Sequence, residues 1–159
     1  MKNLEFLADI KKKGKIELIE PSDAIRQSYA EKSESNLISA KILLKNGRLE
    51  EAVSLTYYNM YHILTALMYR TGIKCENHTG SIILLKDVFG IDNRDIAFAK
   101  KERIDKQYYF DFHVTEKNVI DLIKRAERFN SNMIDFISKL NTDKITKIRR
   151  NFVQLIERI

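Results

Sequence analysis

The feature that most restricts the fold of this chain is an uncharged segment in its first half. No Asp, Glu, Lys or Arg occurs between Ala52 and Tyr69, although 31% of all residues are charged. Apolar residues recur there at intervals of three and four, and Gly72 follows where a helix can end. The pattern predicts a helix from Leu49 to Thr71 that is buried on most sides. Such a helix needs others around it, which indicates a helical bundle.

Start and stop signals predict the other helices. The predicted helix that begins at Pro21 has the polar residue Ser33 among its apolar positions. The predicted helix that begins at Thr115 shows the clearest helical repeat in the chain. The predicted segments run from Pro21-Ser22-Asp23 to Asn46-Gly47, from Thr79 to Val88, from Thr115 to Leu140, and from Thr142 to Ile159. Together with the central helix, they would form an all-α bundle of four to five helices.

The remaining segments carry weaker signals. Leu4 to Lys13 is predicted as a short helix, and Gly14 to Glu20 alternates like a lone strand with no evident partner. Gly72 to Asn77 is predicted as a brief polar loop. Asp92 to Asp105 is basic and predicted to be irregular, with one helical turn around Ile96 to Lys101.

Length and composition bound the class of protein. The 159 residues suit one all-α domain, in which a short N-terminal arm (residues 1–20) precedes a single bundle of four to five helices (residues 21–159). Apolar runs such as Ile82 to Leu85 are too short for a bilayer, so a cytoplasmic protein without a membrane segment is expected. Cys75 is the single cysteine, and the histidines lack metal-ligand spacing. No metal, and no cofactor held by a glycine-rich motif, is expected.

Five sequence stretches together resemble the HEPN family, the small helical domains of higher eukaryotes and prokaryotes. Two of them lie in and just after the central helix, and the others follow along the chain. They are EAVSLTYYNMYH (Glu51 to His62), GIK (Gly72 to Lys74), HTGSII (His78 to Ile83), RIDKQY (Arg103 to Tyr108) and VTEKN (Val114 to Asn118). The resemblance covers about Pro21 to Leu140 and leaves the final helix outside.

The resemblance implies an up-and-down helical bundle that is commonly a homodimer and is often produced beside a small nucleotidyltransferase as a toxin–antitoxin pair. Many members are similar to metal-independent RNA-cleaving toxins, in which an arginine precedes a histidine by four to six intervening residues. Here nine residues separate Arg103 from His113, and seven separate Arg70 from His78. The sequence instead resembles the subgroup with an Arg-x-Asp-x-x-Tyr motif, which implies nucleotide or partner binding.

The candidate site residues centre on that motif. Arg103 would hold a phosphate, Asp105 would orient it, and Tyr108 would stack on a base or donate a hydrogen bond. The alternative is an ion pair that fixes a loop to the core. His113, just before the Thr115 cap, would act with Arg103 as an acid–base group, or would simply be an exposed loop histidine.

Further candidates lie around this motif and in the central helix. The lysines that flank Arg103 would attract a polyanion, or alternatively would only be solvated. His78 would contact a phosphate or a partner, or alternatively would be the start of a helix. Tyrosines of the central helix would face a second copy of the chain or the chain's own bundle. These residues are Lys100, Lys101, Lys106, His78, Tyr57 and Tyr61. His62, on the inner face, is predicted to be a core histidine.

Three functional hypotheses follow from these residues and from the resemblance. The leading one is a HEPN-type module that binds nucleotide or RNA and pairs with a nucleotidyltransferase, as in a toxin–antitoxin system. The alternative is a metal-independent endoribonuclease toxin in which Arg103 and His113 are catalytic. The third is a structural dimer without a specific ligand.

Overall fold

A computed structural model describes residues 1–108 and 113–159, with the side chains of residues 106–108 left out. The described part of the chain is helical apart from two short strands and the connections, so the all-α prediction is confirmed. The elements are α1 (Lys2–Lys12), β1 (Ile16–Leu18), α2 (Asp23–Lys45), α3 (Leu49–Thr71), β2 (Ile73–Cys75), α4 (His78–Asp87), α5 (Arg94–Tyr108), α6 (Glu116–Ser138) and α7 (Thr142–Glu157).

Helix α3 is the centre of the bundle, as its lack of charge predicts. Tyr57, Met60, Leu64 and Leu67 have no exposed surface. Helices α2, α5 and α6 all pack directly against α3. Apolar side chains on every side of one helix leave no face for charged residues, which explains the composition of the segment.

The predicted helix ends are confirmed where a side chain or a glycine determines them. The Oγ of Ser22 accepts a hydrogen bond from the Ile25 amide at 3.1 Å and begins α2. Thr115 and Asn118 form a reciprocal capping box at the start of α6. Gly72 ends α3 with a φ of 73°.

The segment predicted as a strand without a partner is paired in the structure. Strand β1 lies antiparallel to β2, with Ile16 opposite Cys75 and Leu18 opposite Ile73. Strand β2 occupies part of the predicted loop from Gly72 to Asn77, and this prediction was wrong. Three residues are too few to show the alternation by which a strand is identified.

The segment predicted to be irregular is also different in the structure. Residues Arg94–Tyr108 form one continuous helix, α5, where a single turn was predicted. The helix was hard to predict because its apolar residues do not form one clear face. In its first half, Ile96 and Ala99 are buried in the core, whereas Phe98 is exposed. Helix α4 begins at His78 because Asn77, two residues before the predicted cap Thr79, caps it by accepting a 2.8 Å hydrogen bond from the Gly80 amide.

The N-terminal residues pack onto the bundle. Leu7 and Ile10 of α1 are buried in the core, and α1 contacts α4. At the other end of the chain, Arg149 of α7 ties the short sheet to the bundle. Its Nη1 donates to the carbonyl oxygens of Ile19 at 2.9 Å, Thr71 at 3.0 Å and Gly72 at 2.9 Å. None of the described helices has the length and hydropathy needed to cross a membrane.

Candidate functional site

Aromatic and basic side chains from three helices meet where α3, α4 and α5 come together. Helix α3 supplies three tyrosines, α4 supplies its first residue, and α5 supplies an arginine on the face towards α3. We call Tyr57, Tyr58, Tyr61, His78 and Arg103 the Tyr–His–Arg cluster. All except the buried Tyr57 are partly exposed.

The imidazole of His78 is held by two tyrosines. Its Nδ1 lies 2.7 Å from the hydroxyl of Tyr57, within hydrogen-bonding distance. Its ring stacks on Tyr61, with centroids 3.8 Å apart and planes 12° from parallel. When the ring carries its proton on Nε2, the Tyr57 hydroxyl donates to Nδ1. These contacts restrict both the position and the rotation of the imidazole.

Arg103 lies over the same tyrosines from the α5 side. Its guanidinium carbon is 5.1 Å from the centroid of the Tyr57 ring and 5.4 Å from that of Tyr58. Its Nη1 donates to the Tyr58 hydroxyl at 3.3 Å. A guanidinium over aromatic faces keeps donors on its edge, where they can contact a phosphate.

Electrostatics favour an uncharged imidazole at this point. Burial lowers the pKa of His78, and the nearby positive charges of Arg103 and Lys100 lower it further. Burial, followed by the charge of Arg103, also lowers the pKa of Lys100. Burial raises the pKa of Tyr57, which keeps its hydroxyl protonated. The cluster and the neighbouring Lys100 therefore combine a neutral histidine with two cations, an arrangement that suits an anionic ligand.

The HEPN domain family matches residues 27–135 of this chain, a span that includes the whole cluster. The chain belongs to the HEPN family. A UPF0332 protein of Thermotoga maritima is 28% identical over 128 residues, which cover 76% of this chain and 94% of the relative. The predicted family is thereby confirmed.

Two archaeal relatives are similar to shorter parts of this HEPN chain. A protein of Methanocaldococcus jannaschii named "Putative toxin MJ0605" is 28% identical over 110 residues, covering 65% of this chain and 81% of the relative. A UPF0332 protein of Pyrococcus horikoshii is 42% identical over 50 residues, covering 31% and 35% respectively.

The structure brings some of the predicted site residues of this HEPN protein together and separates others. Arg103 and His78 share the cluster, and Lys100 is near enough for its charge to lower the pKa of His78. Arg103 and Asp105 are two positions apart on a regular helix and so point about 160° apart, towards opposite sides of α5, which corrects the predicted orientation of Arg103 by Asp105. Lys101 is exposed on the same helix.

The other predicted site residues fall in or near the connection between α5 and α6. His113 is exposed two residues before the Thr115 cap, outside the Tyr–His–Arg cluster as defined. The side chains of Lys106 and Tyr108 lie outside the described residues. Within the described chain, no three His, Cys, Asp or Glu side chains are grouped so as to hold a metal ion.

The two tyrosines predicted to face a second copy of this HEPN chain differ in their surroundings. Tyr57 is 0% exposed and bonded to His78, so the prediction of a dimer contact at this ring is corrected. Tyr61 is half-buried and covered in part by the stacked His78. His62, predicted to be a core histidine, is only partly buried, and its Nδ1 lies 2.7 Å from Asn36 Oδ1.

Sequence reasoning missed that the tyrosines of α3 hold the His78 ring by a hydrogen bond and by stacking. The available signal was the spacing of Tyr57, Tyr58 and Tyr61, since positions i and i+4 lie on one helical face. The spacing alone does not show what that face contacts. The partner, His78, follows Tyr57 by 21 positions and is brought near by the α3–β2–α4 connection.

We expect the side chain of His78 to titrate below 6.5, the ordinary pKa of a histidine, because burial and two cations disfavour the imidazolium. The contribution of this histidine to the free energy of unfolding should therefore be fully present above about pH 6.5. It should be lost as the pH falls through the lowered pKa of His78 in the folded state. The measurement is an NMR titration of the histidine Hε1 resonances. A midpoint for His78 at or above 6.5 would contradict the described environment.

Proposed function

We propose that this HEPN protein is a toxin-like module that binds a phosphate group of RNA or of a nucleotide at the Tyr–His–Arg cluster. One observation carries the proposal: His78 and Arg103 share one partly exposed cluster with Lys100 near enough to affect the histidine. Family membership and the relative named as a toxin support the toxin-like assignment.

The chemistry of the cluster fits a nucleic-acid phosphate. Arginine and lysine donate to phosphate oxygens, and a neutral imidazole contributes one further donor without electrostatic cost. The exposed side of Tyr58 or Tyr61 offers an aromatic face on which a base can stack. The net charge of +6 adds a long-range attraction for RNA.

The proposed pairing with a nucleotidyltransferase, and the proposed homodimer, rest on the family resemblance. Exposed apolar side chains on α2, Ile38 and Ile42, lie one helical turn apart and offer a surface for either partner. Co-purification with a nucleotidyltransferase encoded beside this gene would support the pairing. Separate elution of the two folded proteins would contradict it.

We expect single-stranded RNA to bind with an affinity that falls steeply as salt rises, because the contacts are to phosphates. Exchanging Arg103 for glutamine removes charge-assisted hydrogen bonds, so Arg103→Gln should weaken the affinity about tenfold. Lys100→Gln should reduce the affinity less and lower the salt slope by about one phosphate contact. Fluorescence anisotropy of labelled RNA at low and physiological salt measures both effects.

The matched control for Arg103 is Arg125, which lies over the Phe98 ring at 4.1 Å on another face of the bundle. Arg125→Gln removes a similarly stacked guanidinium outside the cluster and should leave RNA affinity within about twofold of the parent. Equal losses in the two variants would indicate non-specific attraction by the basic chain. If the RNA affinity changes neither with salt nor with Arg103→Gln, the proposed phosphate site is rejected, and the hypothesis of a structural dimer without a specific ligand remains.

A metal-independent endoribonuclease is the second candidate function. The observation that favours it is a neutral imidazole beside an arginine. With its own proton on Nδ1, donated to the Tyr57 hydroxyl, the imidazole could take a proton from a ribose 2′-hydroxyl at Nε2 while the guanidinium stabilises the charged phosphate. Incubation of the purified protein with RNA and EDTA tests this activity. Absence of cleavage, or unchanged cleavage by Arg103→Ala and His78→Ala, would reject it.

A further inference from the structure

A groove beside the last helix lies away from the Tyr–His–Arg cluster. It has a volume of about 710 Å³ and is formed by the end of α4, the connection between α4 and α5, the end of α6 and the first part of α7. Clefts of about 300–1,000 Å³ are of the usual size for binding sites. Neither the cluster residues nor Lys100 line this groove.

Most of the net positive charge of the chain lies in the segment that forms one side of the groove. Residues 27–135, which match the HEPN family, contain sixteen Lys and Arg against fifteen Asp and Glu. Residues 136–159 contain six Lys and Arg against two Asp and Glu, so they supply +4 of the total of +6. The surplus positive charge therefore belongs mainly to α7 and to its connection with α6, outside the matched span.

Four lysines and two aspartates line the groove, which gives it a formal charge of +2. Two of the lysines have partners: Lys139 pairs with Asp135 at 2.8 Å, and Lys144 donates to the Lys139 carbonyl oxygen at 3.1 Å. The other two, Lys86 and Lys147, are exposed and form no ion pair with a carboxylate in the described part of the chain. Lys86 lies on α4 and Lys147 on α7, so these two ammonium groups belong to different sides of the groove.

The rest of the lining is largely apolar. It consists of Val88, Phe89, Ile91, Phe136, Leu140 and Ile148. Ile91, Phe136 and Leu140 keep part of their surface exposed, whereas the other three are buried. Accessible apolar side chains from three segments, next to two lysines without ion pairs, form a surface that a partner can cover.

The arrangement of charge and apolar surface favours an acidic protein segment over other anionic partners. A fatty acid or a lipid carries its anionic group at one end of an apolar stem, which does not match ammonium groups on two sides of the groove. A nucleic acid carries phosphates at regular intervals but has no aliphatic groups to pack on Ile91 and Leu140. A peptide can place carboxylates alongside apolar side chains, as amphipathic helices do when they bind in grooves.

We propose that the groove beside α7 is a docking surface for an acidic amphipathic segment of a partner protein. Apolar side chains of the segment would contact Ile91, Phe136 and Leu140, and its Asp and Glu side chains would pair with Lys86 and Lys147. The docking surface and the phosphate site share no residue. Failure of RNA binding at the Tyr–His–Arg cluster would therefore leave this proposal unaffected.

Selection from a random peptide library displayed on phage, with the full chain as the immobilised target, tests the proposal without assuming a partner sequence. The selected peptides should be enriched in Asp and Glu together with Leu, Ile or Phe. Selection on the double variant Lys86→Glu/Lys147→Glu should not enrich these peptides. Peptides without an excess of acidic residues, or the same peptides selected on the double variant, would overturn the proposal.

A synthetic copy of the most enriched acidic peptide serves for calorimetric titration. Lys86→Glu/Lys147→Glu should weaken its affinity about tenfold, because two attractive charges become repulsive. The matched control Lys45→Glu/Lys117→Glu reverses two exposed lysines outside the groove and should leave the affinity within about twofold of the parent. All four positions are on the surface, so both proteins should fold normally. Equal affinities in the two double variants would contradict a docking surface at the groove.

Two further measurements locate the peptide and separate it from RNA. The methyl resonances of Ile91 should move when the peptide is added, whereas those of Ile120, an exposed residue at the other end of α6, should stay in place. RNA affinity should fall equally in the two double variants, because neither of them changes the cluster. A peptide that leaves Ile91 unmoved, or a larger loss of RNA affinity in Lys86→Glu/Lys147→Glu than in the control, would show that the groove is not a docking surface for an acidic segment.

Discussion

Exchanging Gly72 for alanine is expected to lower the free energy of unfolding by about 3 kcal/mol. Gly72 has a φ of +73°, a conformation that costs an L-residue about 1–2 kcal/mol. A Cβ there would also collide with Arg149 Nη1 and the Ile19 carbonyl oxygen, and would lie 2.9 Å from the Pro21 nitrogen. The variant would therefore displace the guanidinium that donates to three carbonyl groups.

Gly47 supplies the matched control for this prediction. It has nearly the same φ, +72°, and a Cβ built on it meets nothing within 4 Å. Gly47→Ala should cost only the conformational share, about 1 kcal/mol. Denaturant unfolding followed by circular dichroism measures both values. Equal losses in the two variants would show that the contact of Gly72 with Arg149 and the sheet does not stabilise the fold.

Asn59→Leu is expected to cost about 3 kcal/mol of unfolding free energy, although leucine has a similar size. Asn59 is 0% exposed and links three helices by donating to Ser33 and accepting from Asn130. The variant would leave Asn130 Nδ2 buried without its acceptor, which costs about 1–3 kcal/mol. It would also remove the hydrogen bonds that Asn59 Nδ2 donates to Ser33, each worth about 0.5–1.5 kcal/mol, although the Ser33 carbonyl keeps its partner within α2.

The control for this second prediction is Asn132→Leu, an exposed position on α6. Its unfolding free energy should stay within about 0.5 kcal/mol of the parent. The same denaturant unfolding experiment compares the two variants. If Asn59→Leu were as stable as the parent, these buried hydrogen bonds would not contribute to holding α2, α3 and α6 together.

The parts of the fold that the sequence predicted are those with strong local signals. The uncharged α3 and the regular repeat of α6 are each long enough to show the helical period, and Ser22, Thr115 and Gly72 mark their ends chemically. Such signals depend on neighbouring residues only. These helices can therefore be predicted before any tertiary contact is known.

The parts that the sequence did not predict depend on contacts between distant residues. Strands β1 and β2 are three residues each and exist because Ile16 and Cys75 are brought side by side by α1 and α3. Helix α5 carries little apolar surface of its own and packs on α3 and α6. Local propensity gives no measure of such stabilisation by neighbouring helices.

The candidate site shows the same division. His78 and Arg103 were each predicted as ligand contacts from the sequence, but their common position on the tyrosines of α3 was not. The Tyr57–His78 and Tyr58–Arg103 contacts join residues 21 and 45 positions apart. Ser33 was noticeable as a polar residue in an apolar seam, whereas its link to Asn130 through Asn59 required the packed bundle.

The measurement that tests the phosphate site most directly is the titration of His78 with and without a short single-stranded RNA. In the free protein, its pKa should lie below 6.5 because of burial and the charges of Arg103 and Lys100. A phosphate bound beside the ring would favour the imidazolium, so RNA should raise this pKa. At an RNA concentration that half-saturates the parent protein, Arg103→Gln should make this rise smaller, because less RNA is bound. A His78 midpoint that stays the same when the RNA is bound would show that the RNA lies elsewhere and would contradict the proposed function.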